Sequence, residues 1–75
     1  MKAYKRLSKD SGITHYDILP EGIIVQFNDG KTYLYTFRSA GKKAIARMKT
    51  LAAAGKGLST FINVHVREKY ESRIR

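Results

Sequence analysis

The chain has 75 residues, which is enough for one domain and too few for two. Its 15 basic and six acidic residues give a formal net charge of +9, and this charge indicates an anionic partner: nucleic acid, an acidic protein or an anionic membrane. A hydrophobic content of 43% predicts a folded protein, and the absence of cysteine excludes disulfides and thiolate metal sites. We find neither a signal peptide nor an apolar run near the ~20 residues of a membrane span, so we expect a cytoplasmic protein.

We expect a basic N-terminal arm over residues 1–10 and a single domain over residues 11–75. Three short runs rich in β-branched and aromatic residues, separated by turn residues, predict strands over 13–19, 22–27 and 31–37.

The turn between the last two predicted strands sets the expected faces of the sheet. Asp29-Gly30 favours a two-residue type I′ hairpin loop, which would place Val25 opposite Leu34. Because side chains alternate across a sheet, Leu34 would then lie on the apolar core face and Tyr33 and Tyr35 on the opposite face.

Two helices are predicted after the strands. Ser39 is the expected N-cap of a helix that runs to Ala54 and stops at Gly55. A second helix is expected from Ser59 towards Ile74. The order of elements predicts an α+β fold, a three-stranded antiparallel meander followed by two helices packed on one sheet face.

A block without acidic residues extends from position 30 to position 67 and contains eight basic residues. Aromatic rings next to unopposed positive charge favour a polyanion with bases that can stack. The candidate nucleic-acid-binding residues are Lys31, Tyr33, Tyr35, Lys42, Lys43, Arg47, Lys49 and Arg67.

Three short motifs resemble the KTSC domain, a module named for the C-terminus of some lysyl-tRNA synthetases that also occurs as a small stand-alone bacterial protein. In chain order they are Tyr33-Leu34-Tyr35, Gly57-x-x-x-Phe61-x-Asn63 and Val66-Arg67-x-x-Tyr70. The resemblance covers residues 11 to 71 and implies RNA binding through the family's attachment to a tRNA enzyme. The basic start of the first helix departs from the family, which usually has a proline and often acidic residues there.

Each candidate feature also has a structural interpretation. Tyr33 and Tyr35 either stack bases or pack in the core, and packing is the commoner role of aromatic residues on short strands. The basic helix either contacts phosphates or is a solvated face, and Arg67 either binds an anion or pairs with Glu71. Asn63 is expected to make a structural hydrogen bond.

The leading hypothesis is therefore a small nucleic-acid-binding module whose partner is RNA or another single-stranded nucleic acid. The alternative is an accessory module that docks on an acidic protein, and an anionic membrane is a less favoured partner because the apolar stripe of the helix is rich in alanine. We find no nucleophile motif, phosphate-binding glycine loop or metal-ligand cluster, so we expect no enzyme activity, cofactor, metal or small-molecule substrate.

Overall fold

The three strands predicted from the sequence form the centre of an antiparallel sheet in the computed structural model, which describes residues 1–5 and 12–74. The sheet has five strands that lie side by side in chain order: β1 (Lys2–Ala3), β2 (Ile13–Leu19), β3 (Gly22–Phe27), β4 (Thr32–Thr36) and β5 (Ser72–Arg73). The helical elements are α1 (Phe37–Ala40), α2 (Lys42–Ala54), α3 (Leu58–Phe61) and a π-helix (Ile62–Val66). The fold is α+β, as expected from the order of elements.

The first residues of the chain pack with the domain. Lys2 lies opposite Tyr16 in the sheet, and the Tyr4 side chain is 3% exposed. The Tyr4 hydroxyl accepts a hydrogen bond of 3.3 Å from the Leu58 backbone N–H, so it ties the start of the chain to α3. Part of the predicted arm is therefore a component of the fold, and its positions 6–10 lie outside the described residues.

The β3–β4 hairpin differs by one residue from the predicted register. The Phe27 N–H donates to the Lys31 carbonyl over 2.8 Å, and the Gly30 N–H donates to the Phe27 carbonyl over 3.0 Å, so the loop contains three residues. Gly30 supplies the left-handed conformation, with φ +89°, that closes such a loop. The Asp29 side chain accepts from the Lys31 N–H over 3.0 Å and supports the turn.

This shift of one residue exchanges the faces of β4. Val25 lies opposite Tyr33 and Ile23 lies opposite Tyr35, so both tyrosines share the face of the apolar β3 residues. The predicted placement of these tyrosines on the face opposite the core is wrong. Leu34, which was expected in the core, lies opposite Ile24 on the other face.

The first helical region is interrupted near its start. Thr36, and not Ser39, is the N-cap of α1: its hydroxyl accepts from the Ser39 N–H over 3.1 Å, while the Ser39 hydroxyl accepts from the Thr36 N–H over 3.0 Å. Gly41, with φ 93°, separates α1 from α2. Helix α2 ends at Gly55, which has the left-handed conformation, as predicted.

The second predicted helix is shorter than expected. It ends with the π-helix at Val66, and the chain then returns to the sheet as β5, with Arg73 opposite Tyr33 and Ser72 opposite Leu34. The Thr36 hydroxyl donates to the Glu71 carboxylate over 2.8 Å just before this strand. Pairing with β4 satisfies backbone groups and adds an edge to the sheet, so tertiary structure overrides the helical pattern here.

The helices cover the face of the sheet that carries Ile23, Val25 and Tyr35. A single hydrophobic core joins this face to the helical layer, whose contributions include the buried side chains of Ile45, Met48, Ala52, Leu58, Ile62 and Val66. Among the described residues, no helix has the length and apolar character needed to cross a membrane.

Candidate nucleic-acid interface

The helical layer carries positive charge without any acidic residue. From Phe37 to Arg67 it contains seven basic residues: Arg38, Lys42, Lys43, Arg47, Lys49, Lys56 and Arg67. Within residues 1–5 and 12–74, no ion pair joins any of the seven to a carboxylate. This layer therefore carries positive charge that is not paired in an ion pair within the described residues.

Two of the predicted lysines lie against an aromatic ring that sequence reasoning did not single out. The ammonium groups of Lys42 and Lys49 lie 5.7 Å and 5.6 Å from the centre of the Phe37 ring, within cation–π range. Lys49 is half-buried and also donates to the Pro20 carbonyl over 3.3 Å. Lys49 therefore has intramolecular contacts that hold it near the β2–β3 turn.

The other basic residues of α2 lie farther around the helix. Lys43 and Arg47 are exposed and one turn apart, and Arg47 lies about 140° around the axis from Lys42. Arg47 borders a shallow pocket beside Phe61 and His65, whose rings are 4.7 Å apart. The basic residues of α2 consequently form two groups, one near Phe37 and one near the α3–π-helix segment.

The remaining predicted residues meet at a cleft between the β3–β4 hairpin and the π-helix. This cleft has a volume of about 460 Å³ and is bordered by Lys31, Tyr33, Tyr35 and Arg67, four of the predicted site residues. Asn63 and Tyr70 border it as well. We refer to it below as the tyrosine cleft.

The aromatic rings of the tyrosine cleft contact one another. The ring centre of Tyr33 lies 5.8 Å from that of Phe27, in an edge-to-face arrangement, and 4.7 Å from that of Tyr70, with a tilt of 44° between the planes. The rings of Tyr35 and Tyr70 are also edge-to-face, with their centres 6.3 Å apart. Tyr35 is 1% exposed, so its ring is part of the core and is closed to stacking with a base. Tyr33 is half-buried, whereas Tyr70 is 38% exposed.

Burial changes the acidity of the central tyrosine. Burial first, and then the neighbouring Tyr33 and Tyr70, raise the pKa of Tyr35 from 10.0 to about 12. Its hydroxyl therefore stays neutral over the physiological range.

Charge in the tyrosine cleft is balanced. Lys31 and Arg67 are matched by Asp29 and Glu68, which border the same space, and Lys31 forms an exposed ion pair of 3.8 Å with Asp29. The pairing of Arg67 with Glu71, one of the two alternatives for Arg67, is absent among the described residues, where the Glu71 carboxylate accepts from Thr36. The cleft thus differs in chemistry from the basic helical layer.

Sequence reasoning did not place Tyr70, Phe37, Asp29 or Glu68 in a site. Tyr70 was assigned to a helix because its spacing from Val66 fits a helical face, and its position depends on β5, which the sequence pattern did not indicate. Asn63 was expected to make a structural hydrogen bond, but its side-chain amide makes none with another described residue.

No family model, curated protein or solved structure matches this chain. The resemblance to the KTSC family consequently rests on the motifs alone. Five residues from these motifs converge on the tyrosine cleft: Tyr33, Tyr35, Asn63, Arg67 and Tyr70.

Proposed function

We propose that this protein binds RNA or another single-stranded nucleic acid in the cytoplasm through its helical layer. The observation that carries the proposal is the set of seven basic residues in this layer, whose own sequence contains no acidic residue. Glu68 and Glu71 border it near Arg38 and Arg67. Basic side chains bind phosphates by displacing condensed counterions, and this binding does not depend on sequence.

We expect the phosphate contacts to be centred on Lys43 and Arg47. Both are exposed and neither has an ion-pair partner among the described residues, so contact with phosphate breaks no existing interaction. Lys42 is exposed on the flank towards Phe37 and extends the surface in that direction. If four cations of the layer neutralise phosphates, the logarithm of the binding constant falls with the logarithm of salt concentration with a slope of about −3.

The tyrosine cleft favours a nucleic acid over an acidic protein. It adds exposed aromatic surface at the end of the helical layer, which a chain of unpaired bases can use and which a carboxylate-rich surface does not require. The motifs shared with the KTSC family, which imply RNA binding, contribute residues to the same cleft.

The test is a salt titration of a dye-labelled single-stranded RNA, followed by fluorescence anisotropy. The variant Lys43→Gln/Arg47→Gln should bind more weakly, with a slope smaller by about 1.4, because two phosphate contacts are lost. The matched control is Lys2→Gln/Lys69→Gln, which removes the same charge from exposed positions outside the helical layer.

Absence of binding by the wild-type protein at low salt would refute the proposal. Equal losses in the two double variants would show that net charge, and not the helical layer, attracts RNA. An acidic protein partner is the competing outcome, and recovery of that partner in a pull-down after nuclease treatment would favour it.

A further inference from the structure

The tyrosine cleft has the parts of a site for a nucleobase. Tyr70, an exposed residue, has its ring centre 4.7 Å from that of Tyr33 and 6.3 Å from that of Tyr35, to which its ring is nearly perpendicular. Because Tyr33 and Tyr70 are too close to admit a third ring between them, a base has access only to the outer surface of the pair. A ring held in this way loses little side-chain freedom when a base stacks on it.

A polar side chain without a hydrogen-bond partner among the described residues borders the same cleft. Asn63 is exposed on the π-helix and borders the cleft, and its amide makes no hydrogen bond with another described residue. An amide offers both donors and an acceptor, which matches the mixed polar edge of a base. Segments of π-helix are rare and often occur at functional sites.

The balanced charge of the cleft identifies the part of the ligand that enters it. Two basic and two acidic residues border the space, so a free phosphate or carboxylate gains little there. A neutral base needs no net positive charge, so the balanced cleft suits the base, and the helical layer suits the phosphates of the strand.

We propose that the tyrosine cleft binds one unpaired base of a single-stranded nucleic acid, with the base stacked on Tyr70 and its polar edge at Asn63. The proposal rests on the proposed function and assigns a separate role to each surface. The helical layer supplies salt-dependent attraction to any nucleic acid, and the cleft supplies preference for a strand whose bases are unpaired.

The test compares single-stranded RNA with a duplex of the same length, using wild-type protein, Tyr70→Leu and Tyr70→Phe. Leucine keeps apolar bulk but removes the ring, so Tyr70→Leu should weaken single-strand binding about tenfold or more. The affinity of Tyr70→Leu for the duplex and the salt dependence of its binding should stay unchanged. Tyr70→Phe should bind as the wild type does. Wild-type single-strand affinity in Tyr70→Leu, with folding confirmed by thermal unfolding, would overturn the proposal.

A second measurement uses the wild-type protein alone and so does not depend on the folding of a variant. Titration with a trinucleotide should shift the side-chain amide resonances of Asn63, whereas titration with inorganic phosphate should leave them in place. Shifts confined to α2 would overturn the cleft as a base site and leave the proposed function standing. A protein that binds neither single strand nor duplex at low salt would refute both proposals.

Discussion

Alkaline pH should destabilise this protein through Tyr35. The side chain is 1% exposed and its pKa is raised to about 12 from the ordinary 10.0. Between these two values the unfolded chain releases the phenol proton while the folded chain retains it. The unfolded state therefore binds fewer protons in this window, and the free energy of unfolding must fall as the pH rises.

The size of the effect follows from the pKa difference. Each pKa unit corresponds to about 1.4 kcal/mol, so a difference of about two units is worth about 3 kcal/mol in total, of which about 2 kcal/mol is lost between pH 10 and pH 12. A domain of this length has a total stability of roughly 4 to 11 kcal/mol, so the loss is a large fraction of it. Below pH 10 the stabilising contribution is fully present.

The assay is urea unfolding at a series of pH values for the wild-type protein and for Tyr35→Phe. Phenylalanine keeps the buried ring and has no proton to release. All other ionisable side chains are the same in the two proteins, so the difference between the two stability curves isolates Tyr35. We expect the wild type to lose about 2 kcal/mol more than the variant over this window.

Parallel stability curves for the two proteins would refute the reasoning. So would a tyrosinate absorbance titration of the folded protein in which every tyrosine ionises near pH 10. Either result would mean that the Tyr35 hydroxyl is hydrated at the border of the tyrosine cleft and that burial does not raise its pKa.

Three further predictions concern stability and are measured by thermal or urea unfolding. Thr36→Ala should cost about 1 kcal/mol because it removes the α1 N-cap, and Thr36→Ser should retain most of the stability; equal losses in both would contradict the capping role. Gly22→Ala should destabilise the sheet because a Cβ would collide with the Tyr35 backbone carbonyl, and wild-type stability would show that the strands can separate there. Ile45→Ala should cost about 2 to 5 kcal/mol because Ile45 is 0% exposed, whereas the exposed Ala46→Gly should cost about 1 kcal/mol; similar losses would argue against a buried Ile45.

The candidate site was predictable in composition and not in arrangement. The absence of acid from position 30 to 67 is visible in the sequence and identifies the basic helical layer. The distribution of the charges over this layer is not visible in the sequence. Lys42 and Lys49 lie near the Phe37 ring, and this contact depends on the break at Gly41 between α1 and α2. Tyr70 joins the tyrosine cleft only because the chain turns back into β5.

Local chemistry in the sequence was sufficient to predict the α+β class, strands β2 and β3 with their bounds, and the end of α2 at Gly55. Strand alternation, turn residues and a glycine in the left-handed conformation act over a few residues, so they can be recognised without the rest of the chain. Only the tertiary structure decided which face of β4 is buried. Asn28-Asp29-Gly30 is compatible with loops of two or three residues. The longer loop buries Tyr35 against the helices, and a local sequence pattern contains no information about this burial.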